Sequence, residues 1–263
     1  MQYGAMNHPV KPLPAEIAEI GELGFDYLEL TMDAPQAHYA QVRQQRNTIR
    51  QALRRHGLDL VCHLPTFVYT ADLTPSIRQA SLDEVLRSLE TAADLSAGKI
   101  VLHPSIISGL GSLVKKTAVA HALESLDCIL RRAAELGQCI CLENMFPRLD
   151  YMVEPDEFAP LFAAYEELKF TLDVGHAFIG VHTPARILAF MHRFADRLQH
   201  IHISDNHGRR DDHLPVGRGD IPYADLIRAL QDRNYDGTMT LEIFTDDRRD
   251  LVASREIIEG LLL

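Results

Sequence analysis

Acidic and imidazole side chains recur along the chain at or just after the ends of short apolar runs. The set comprises Glu29, His63, His103, Glu143, Asp173, His176, His202, Asp211, His213 and Glu242. Carboxylates and neutral imidazoles are the usual protein ligands of divalent metals, and a carboxylate beside a substrate can also transfer protons. A single histidine in such a place is more often a hydrogen-bonded core or surface residue. Only the repetition of the pattern along the chain therefore indicates a shared metal site.

The elements that must position these residues are strands and helices in regular alternation. The β-rich runs are Gln2–Met6, Asp26–Thr31, Leu58–His63, Lys99–His103, Cys139–Glu143, Lys169–Asp173, Gln199–Ile203 and Thr238–Ile243. Helical spacing occurs in Pro14–Gly24, Gln36–His56, Ser81–Leu95, Val114–Leu136, Pro155–Leu168, Thr183–Ala195, Ile221–Gln231 and Asp250–Leu263. This alternation predicts parallel strands with right-handed crossovers that close into a single (β/α)8 barrel, with residues 1–263 as one domain. An open doubly wound sheet is the alternative.

In such a barrel the carboxyl ends of all strands surround one mouth, so residues far apart in sequence become neighbours. Each charge buried there without compensation costs several kcal/mol, which a bound cation offsets. Nitrogen and oxygen donors without thiolates suit zinc, manganese or cobalt, whereas magnesium prefers fewer histidines. Because side chains two positions apart share a strand face, His200 is expected beneath His202, and Cys141 is expected to pack inside the barrel.

The composition narrows the classes of partner. The chain of 263 residues has 26 basic and 37 acidic side chains and a net charge of -11, which argues weakly against nucleic-acid binding. It has no apolar run long enough to span a membrane, and its first residues lack the features of a signal peptide. Its four cysteines do not form the pattern of a disulfide framework. We therefore expect a cytoplasmic protein without a membrane partner; the sequence leaves the oligomeric state open.

The strand-end residues belong to short motifs that occur in a fixed order. They are His-Leu-Pro65, His-Pro104, Leu-Glu-Asn144, Leu-Asp-x-Gly-His176, His-Ile-x-Asp205, Asp211-x-His213 and Leu-Glu242. Together the motifs resemble those of xylose isomerase-like TIM barrels over nearly the whole chain. This superfamily contains sugar and sugar phosphate isomerases and epimerases, as well as the endonuclease IV group (AP endonuclease family 2).

In the epimerase branch, the resemblance implies one divalent ion held by Glu143, Asp173, His202 and Glu242. The two glutamates would also be the catalytic acid/base pair, acting on opposite faces of a small sugar next to its carbonyl. His63 and His176 would bind substrate hydroxyls or polarise an oxygen. Glu29 resembles a strand-two glutamate that is common in the sugar enzymes. A metal-dependent isomerase or epimerase of a small sugar, sugar phosphate or related polyol is therefore the predicted function.

The endonuclease IV branch is the main alternative, because it implies three zinc ions and a phosphodiester substrate. Its ligand set matches His63, His103, Glu143, Asp173, His176, His202, Asp211, His213 and Glu242. Two features favour the sugar enzymes. The glutamine- and glycine-containing run that follows the strand-five glutamate in the nucleases is replaced by Asn144-Met-Phe-Pro-Arg148. The net charge also gives no support to binding DNA, although nucleic acid is not excluded.

Two further interpretations concern ligands other than the metal. Arg209 and Arg218 lie in the long loop after the seventh strand, where barrels often bind phosphate, so they are candidates for binding a sugar phosphate. Solvated loop charges are an equally good interpretation of these arginines. A non-catalytic barrel that binds metal or carbohydrate is a third functional alternative.

Overall fold

In the computed structural model, which describes residues 1–107 and 109–262, eight parallel strands close into a barrel in sequence order. The strands are β1 (Gln2–Met6), β2 (Tyr27–Thr31), β3 (Asp59–His63), β4 (Lys99–Leu102), β5 (Ile140–Glu143), β6 (Lys169–Asp173), β7 (Leu198–Ile203) and β8 (Thr238–Leu241). The predicted (β/α)8 TIM barrel is confirmed, and the open sheet is wrong. Within the described ranges, no helix combines the length and apolarity needed to cross a membrane.

Helices surround the barrel between successive strands. They are α1 (Leu13–Glu22), α2 (Tyr39–Gln44), α3 (Arg46–His56), α4 (Pro75–Leu95), α5 (Lys115–Glu135), α6 (Pro155–Ala164), α7 (Val174–Phe178), α8 (Ala185–Arg193), α9 (Tyr223–Gln231) and α10 (Arg249–Leu262). Short 3-10 helices span Gly109–Val114 and Pro147–Leu149. The last residue of the predicted C-terminal helix, Leu263, lies outside the described residues.

The two faces of the strands are buried in different environments. Leu28 and Leu30 belong to the large apolar core between the barrel and its helices. Tyr27, on the opposite face of the same strand, packs with Val61 and Val101 inside the barrel. Gly4 on β1 makes room for Tyr27, because a Cβ atom at Gly4 would lie 2.1 Å from the tyrosine ring. Tyr27, Val61 and Val101 therefore fill this part of the barrel interior, below the mouth.

Two helix boundaries differ from the sequence expectation. The segment expected as one helix over residues 36–56 is divided, because Gln45 has non-helical torsion angles and caps both α2 and α3. This break lets α2 pack against α4 while α3 packs against α1. Helix α4 begins at Pro75, six residues before the predicted start. Proline at the first helical turn is a regular start signal, since its missing N–H is not needed there.

Candidate metal centre

Four side chains from four consecutive strands meet at the centre of the barrel mouth. Glu143 and Asp173 end β5 and β6, His202 lies in β7, and Glu242 follows β8. His202 Nδ1 lies 3.2 Å from Glu242 Oε2, 3.5 Å from Glu143 Oε1 and 3.7 Å from Asp173 Oδ2. Donor atoms that share one ion at about 2.1 Å lie roughly 3–4 Å from each other, so these separations fit a divalent cation.

Three of these four atoms have no hydrogen-bond partner. Glu143 Oε1, Asp173 Oδ2 and His202 Nδ1 are buried and make no hydrogen bond. Donor atoms of these three residues lie within 4.8 Å of one another. Buried polar atoms are normally paired, because an unpaired one costs about 1–3 kcal/mol. Three unpaired atoms converging on one point therefore fit a cation that is held by Glu143, Asp173 and His202, with Glu242 at the rim.

A second group lies on one side of this centre. His63 Nε2 and His103 Nε2 are each 3.3 Å from Glu143 Oε2, the carboxylate oxygen that faces away from the central cluster. His63 Nδ1 donates to the carbonyl oxygen of Leu64 at 2.7 Å, which leaves Nε2 free to act as a ligand. The three side chains have donor atoms close enough to hold a second ion.

A third group adjoins the centre through His176, whose Nδ1 lies 3.3 Å from Glu143 Oε1. Asp211 Oδ2 is 3.1 Å from His176 Nε2 and 2.9 Å from His213 Nε2. His176 Nδ1 donates to the carbonyl oxygen of Asn144 at 2.9 Å. The structure thus brings together all of the predicted strand-end ligands except Glu29 in three adjoining groups around the mouth.

A short helix that the sequence analysis missed positions two of these ligands. Asp173 is the N-cap residue of α7, and its Oδ1 accepts a hydrogen bond from the backbone N–H of His176 at 2.5 Å. Asn144 holds the same point, because its side chain accepts from Asp173 N at 2.8 Å and donates to Asp173 O at 2.9 Å. Gly175 is required for close packing, since a Cβ there would lie 2.8 Å from Ser204 Oγ. Aspartate is a preferred N-cap residue, so Asp173 directly after the apolar run is the signal that could have indicated this turn.

The loop that carries Asp211 and His213 is held at its base by Asp205. Its Oδ1 accepts from the backbone N–H groups of Asn206 and Ile221, and its Oδ2 accepts from Gly217 N at 2.9 Å. Arg218 is directed away from the mouth in an ion pair with Asp250, with 2.6 Å between Nη2 and Oδ1. Arg209 is exposed. Their suggested role in binding phosphate therefore stays a prediction, and the Arg218 pairing does not favour it.

Glu29 occupies a different level from the other ligands. It aligns with Val61 on β3, two residues before His63, and is fully buried inside the barrel. Both of its oxygens are engaged by histidines: Oε1 by His202 Nε2 and Oε2 by His200 Nε2, each at 2.9 Å. This buried position does not favour the expected role of Glu29 as a ligand at the rim of the mouth. Glu29 instead lies directly under the central cluster.

The acidic and imidazole groups of the cluster shift each other's pKa values so that both are charged. Burial alone would raise the pKa of Glu143, but His103 and His202 hold it well below its usual value. Burial would lower the pKa of His202, yet Glu29 and Glu143 raise it well above the ordinary range. The pKa of Asp173 is raised, chiefly by burial. In the metal-free protein His202 therefore holds a proton that a divalent ion would displace.

A cavity of about 370 Å³ opens beside Glu242 and His213. Its walls include Phe67 and Phe244 together with the acidic residues Asp33 and Glu84. Phe67 is 78% exposed at the outer edge. The cavity is large enough for a small molecule to extend from the metal centre toward solvent.

The closed barrel with its crowded, ligand-rich mouth defines a recognisable class of protein. The sequence profile of a family described as xylose isomerase-like TIM barrel matches residues 17–261. The chain belongs to this family.

Individual similarities point to sugar epimerases. Fructoselysine 3-epimerase of Escherichia coli O157:H7 is 23% identical over 247 residues, which cover 90% of this chain and 88% of that one. The crystal structure of a D-tagatose 3-epimerase-like protein has a TM-score of 0.88 and 26% identity, covering 100% of this chain and 97% of that one. The TTHB071 protein from Thermus thermophilus, soaked with ZnCl2, has a TM-score of 0.73 and 27% identity over 99% of this chain and 98% of that one.

Proposed function

We propose that this protein is a divalent-metal-dependent epimerase or isomerase of a small ketose-like sugar. The observation that carries the proposal is the convergence of Glu143, Asp173, His202 and Glu242, with unpaired buried donor atoms facing one point. Mixed carboxylate and imidazole donors favour zinc, manganese or cobalt over magnesium. When bound, the ion would act as a Lewis acid that withdraws electron density from the substrate carbonyl.

The two glutamates are suited to the proton transfers. One carboxylate removes the proton from the carbon beside the carbonyl and becomes a carboxylic acid. The other, protonated at that stage, returns a proton to the same carbon from the opposite face, so the configuration inverts. Glu143 Oε1 and Glu242 Oε2 lie 3.5 Å and 3.2 Å from His202 Nδ1, so both carboxylates border the point where the substrate would meet the ion. His63 and His176 lie beside Glu143 and are placed to bind substrate hydroxyls.

The test follows hydrogen exchange rather than one assumed product. Protein that is stripped with a chelator and reloaded with Mn²⁺, Co²⁺ or Zn²⁺ is incubated in D₂O with D-tagatose, D-psicose, D-fructose and fructoselysine. We expect deuterium at the carbon next to the carbonyl, together with the epimer, detected by NMR. Metal binding without exchange on any of these or related ketoses would instead support the non-catalytic alternative.

The two outer groups favour a second candidate function, cleavage of DNA at abasic sites. All nine residues of the trinuclear pattern are assembled, with Asp211 bridging His176 and His213, and Glu143 bridging His63 and His103. Elemental analysis distinguishes the candidates, since about three zinc ions per chain favour the nuclease and about one ion favours the epimerase. Absence of cleavage on an abasic duplex with zinc supplied would remove the nuclease.

The cavity beside Glu242 favours an unphosphorylated substrate. Among its described lining residues none is lysine or arginine, while Asp33 and Glu84 add negative charge. A phosphate there would lack the lysine or arginine partner that usually binds it. We therefore expect a ketose to be turned over at least about tenfold more efficiently than its terminal phosphate ester, as one lost charge-assisted hydrogen bond predicts. The reverse preference, abolished in R209A or R218A, would restore the loop arginines as phosphate ligands.

A further inference from the structure

Below the mouth, a continuous chain of hydrogen bonds runs through the barrel interior. It begins at His202 Nε2, 2.9 Å from Glu29 Oε1, and continues from Glu29 Oε2 to His200 Nε2 over another 2.9 Å. His200 Nδ1 is 2.6 Å from Thr238 Oγ1, which is 2.9 Å from Lys99 Nζ. The chain joins strands β7, β2, β8 and β4, and it links the metal-binding end of the barrel to the opposite end.

The donor order in this chain is set by its two charged members. The Lys99 ammonium can only donate, and it bonds to Thr238 Oγ1. The threonine hydroxyl can donate to His200 Nδ1 at 2.6 Å or to the carbonyl oxygen of Gln199 at 3.2 Å. The Glu29 carboxylate only accepts, so His200 carries its proton on Nε2 and donates it to Glu29. Glu29 is an acceptor for both histidines, which places the proton of a neutral His202 on Nε2. The lone pair of His202 Nδ1 is thereby directed at Glu143, Asp173 and Glu242.

We propose that Glu29 is a positioning residue that fixes the tautomer and orientation of His202 and so sets the affinity of the mouth for its metal ion. This inference rests on the proposed metal centre. A carboxylate that accepts the second N–H of a metal-ligating histidine raises the basicity of the imidazole, and losing such a partner typically lowers metal affinity 10–100-fold. His200, Thr238 and Lys99 support the carboxylate from below.

A space-filling role alone does not account for Glu29. Tyr27, Val61 and Val101 already show that the interior accepts aromatic and aliphatic side chains at the neighbouring level. A buried carboxylate costs several kcal/mol unless it is well bonded, and here each oxygen meets a histidine. Glu29 therefore places a buried charge beside His202, where it can hold the imidazole with Nδ1 directed toward the mouth.

The test compares three variants that are similar in shape to the wild type. E29Q removes the charge and one acceptor, T238V removes the hydroxyl that orients His200, and Y27F is the control. Tyr27 lies in the same interior, and its hydroxyl bonds to Thr240, which meets the chain only through a longer contact of 3.3 Å to His200 Nε2. Metal affinity is measured by calorimetry with Mn²⁺ or Zn²⁺ on chelator-treated protein. Long-range ¹H–¹⁵N NMR of the metal-free protein, at a pH where the ring is neutral, reports the tautomer of His202.

We expect the dissociation constant to rise 10–100-fold in E29Q, several-fold in T238V and less than twofold in Y27F, with the Nε2–H tautomer of His202 lost or mixed in E29Q. Unchanged affinity and tautomer in folded E29Q would overturn the inference. If E29Q does not fold, T238V decides by the same two measurements. If the wild-type protein binds no metal, the proposed function fails, while the tautomer comparison still tests Glu29.

Discussion

Two layers of polar residues lie one above the other inside the barrel, and they differ in how their hydrogen bonds are satisfied. In the upper layer, Glu143 Oε1, Asp173 Oδ2 and His202 Nδ1 are buried without partners. In the lower layer, both oxygens of Glu29 and both ring nitrogens of His200 are bonded. The lower layer is satisfied by the protein alone, whereas the upper layer leaves buried donor atoms that an added cation would satisfy. His202 takes part in both layers, through its two different nitrogens.

The largest expected effect comes from neutralising the upper-layer acid/base pair. E143Q or E242Q should lower turnover by about 10²–10⁴-fold, because each glutamine can neither accept nor return the substrate proton. Deuterium exchange into a ketose measures the loss, and circular dichroism checks that the barrel remains folded. Normal turnover in a folded E242Q or E143Q enzyme would exclude the acid/base assignment of that residue.

The upper layer should also determine how far a metal stabilises the fold. Adding Mn²⁺ or Zn²⁺ at 100 times its dissociation constant stabilises the folded state by about 2.7 kcal/mol. For a chain of this size that corresponds to an increase in Tm of roughly 5–10 °C. D173N should show little of this increase, since it removes an unpaired ligand oxygen. An equal increase in D173N and wild type would place the ion elsewhere.

The histidines that surround the upper layer predict that the stability of the metal-free protein depends on pH. Burial would lower the pKa of His63, but Glu143 raises it to about 9, and Glu242 and Asp211 likewise raise the pKa of His213 to about 9. A histidine whose pKa is raised by folding contributes stability that is complete below its unfolded value near 6.5. That contribution is lost as the pH rises through 9.

Urea titrations at pH 6.5, 7.5 and 9.0 should therefore show the metal-free protein losing about 1–3 kcal/mol across this range. Saturating metal should reduce the dependence, because the ion replaces the protons. H63Q provides the matched control with one titrating group fewer. A stability that is flat or rises with pH in the metal-free protein would contradict the charge state inferred for the mouth.

The smallest effect is expected in the lower layer, away from His202. Y27F removes one hydrogen bond to Thr240 and should cost about 0.5–1.5 kcal/mol of unfolding free energy, with turnover unchanged. Urea denaturation and the exchange assay measure the two quantities side by side. A marked loss of turnover in Y27F would mean that the layers are more strongly coupled than their hydrogen bonds indicate.

The sequence predicts the barrel and the gathering of its ligands because both depend on local repetition. Strand runs, helix spacing and the side-chain alternation of each strand are sufficient to place Glu143, Asp173 and His202 on one face at one end. The height of a residue inside the barrel is a different matter, since it depends on the register between strands. Glu29 faces inward as the alternation predicts, but its alignment with Val61 puts it one level below His63.

Other features escaped prediction for related reasons. The turn α7 is only five residues long and has no apolar periodicity to reveal it. Asn144 appeared within a motif, yet its task of holding the backbone of Asp173 depends on a contact across 29 positions in sequence. The division at Gln45 follows from two helices packing on different neighbours, which no local pattern encodes.

The Asp205 carboxylate accepts hydrogen bonds from the backbone N–H groups of Asn206, Gly217 and Ile221, and these bonds hold the two ends of residues 205–221 together. The segment carries Asp211 and His213, and it is also bonded to α10, where Ser254 Oγ accepts from Val216 N at 3.0 Å and Asp250 pairs with Arg218. A substitution at Asp205 would therefore shift Asp211 and His213 while the eight strands stay in place.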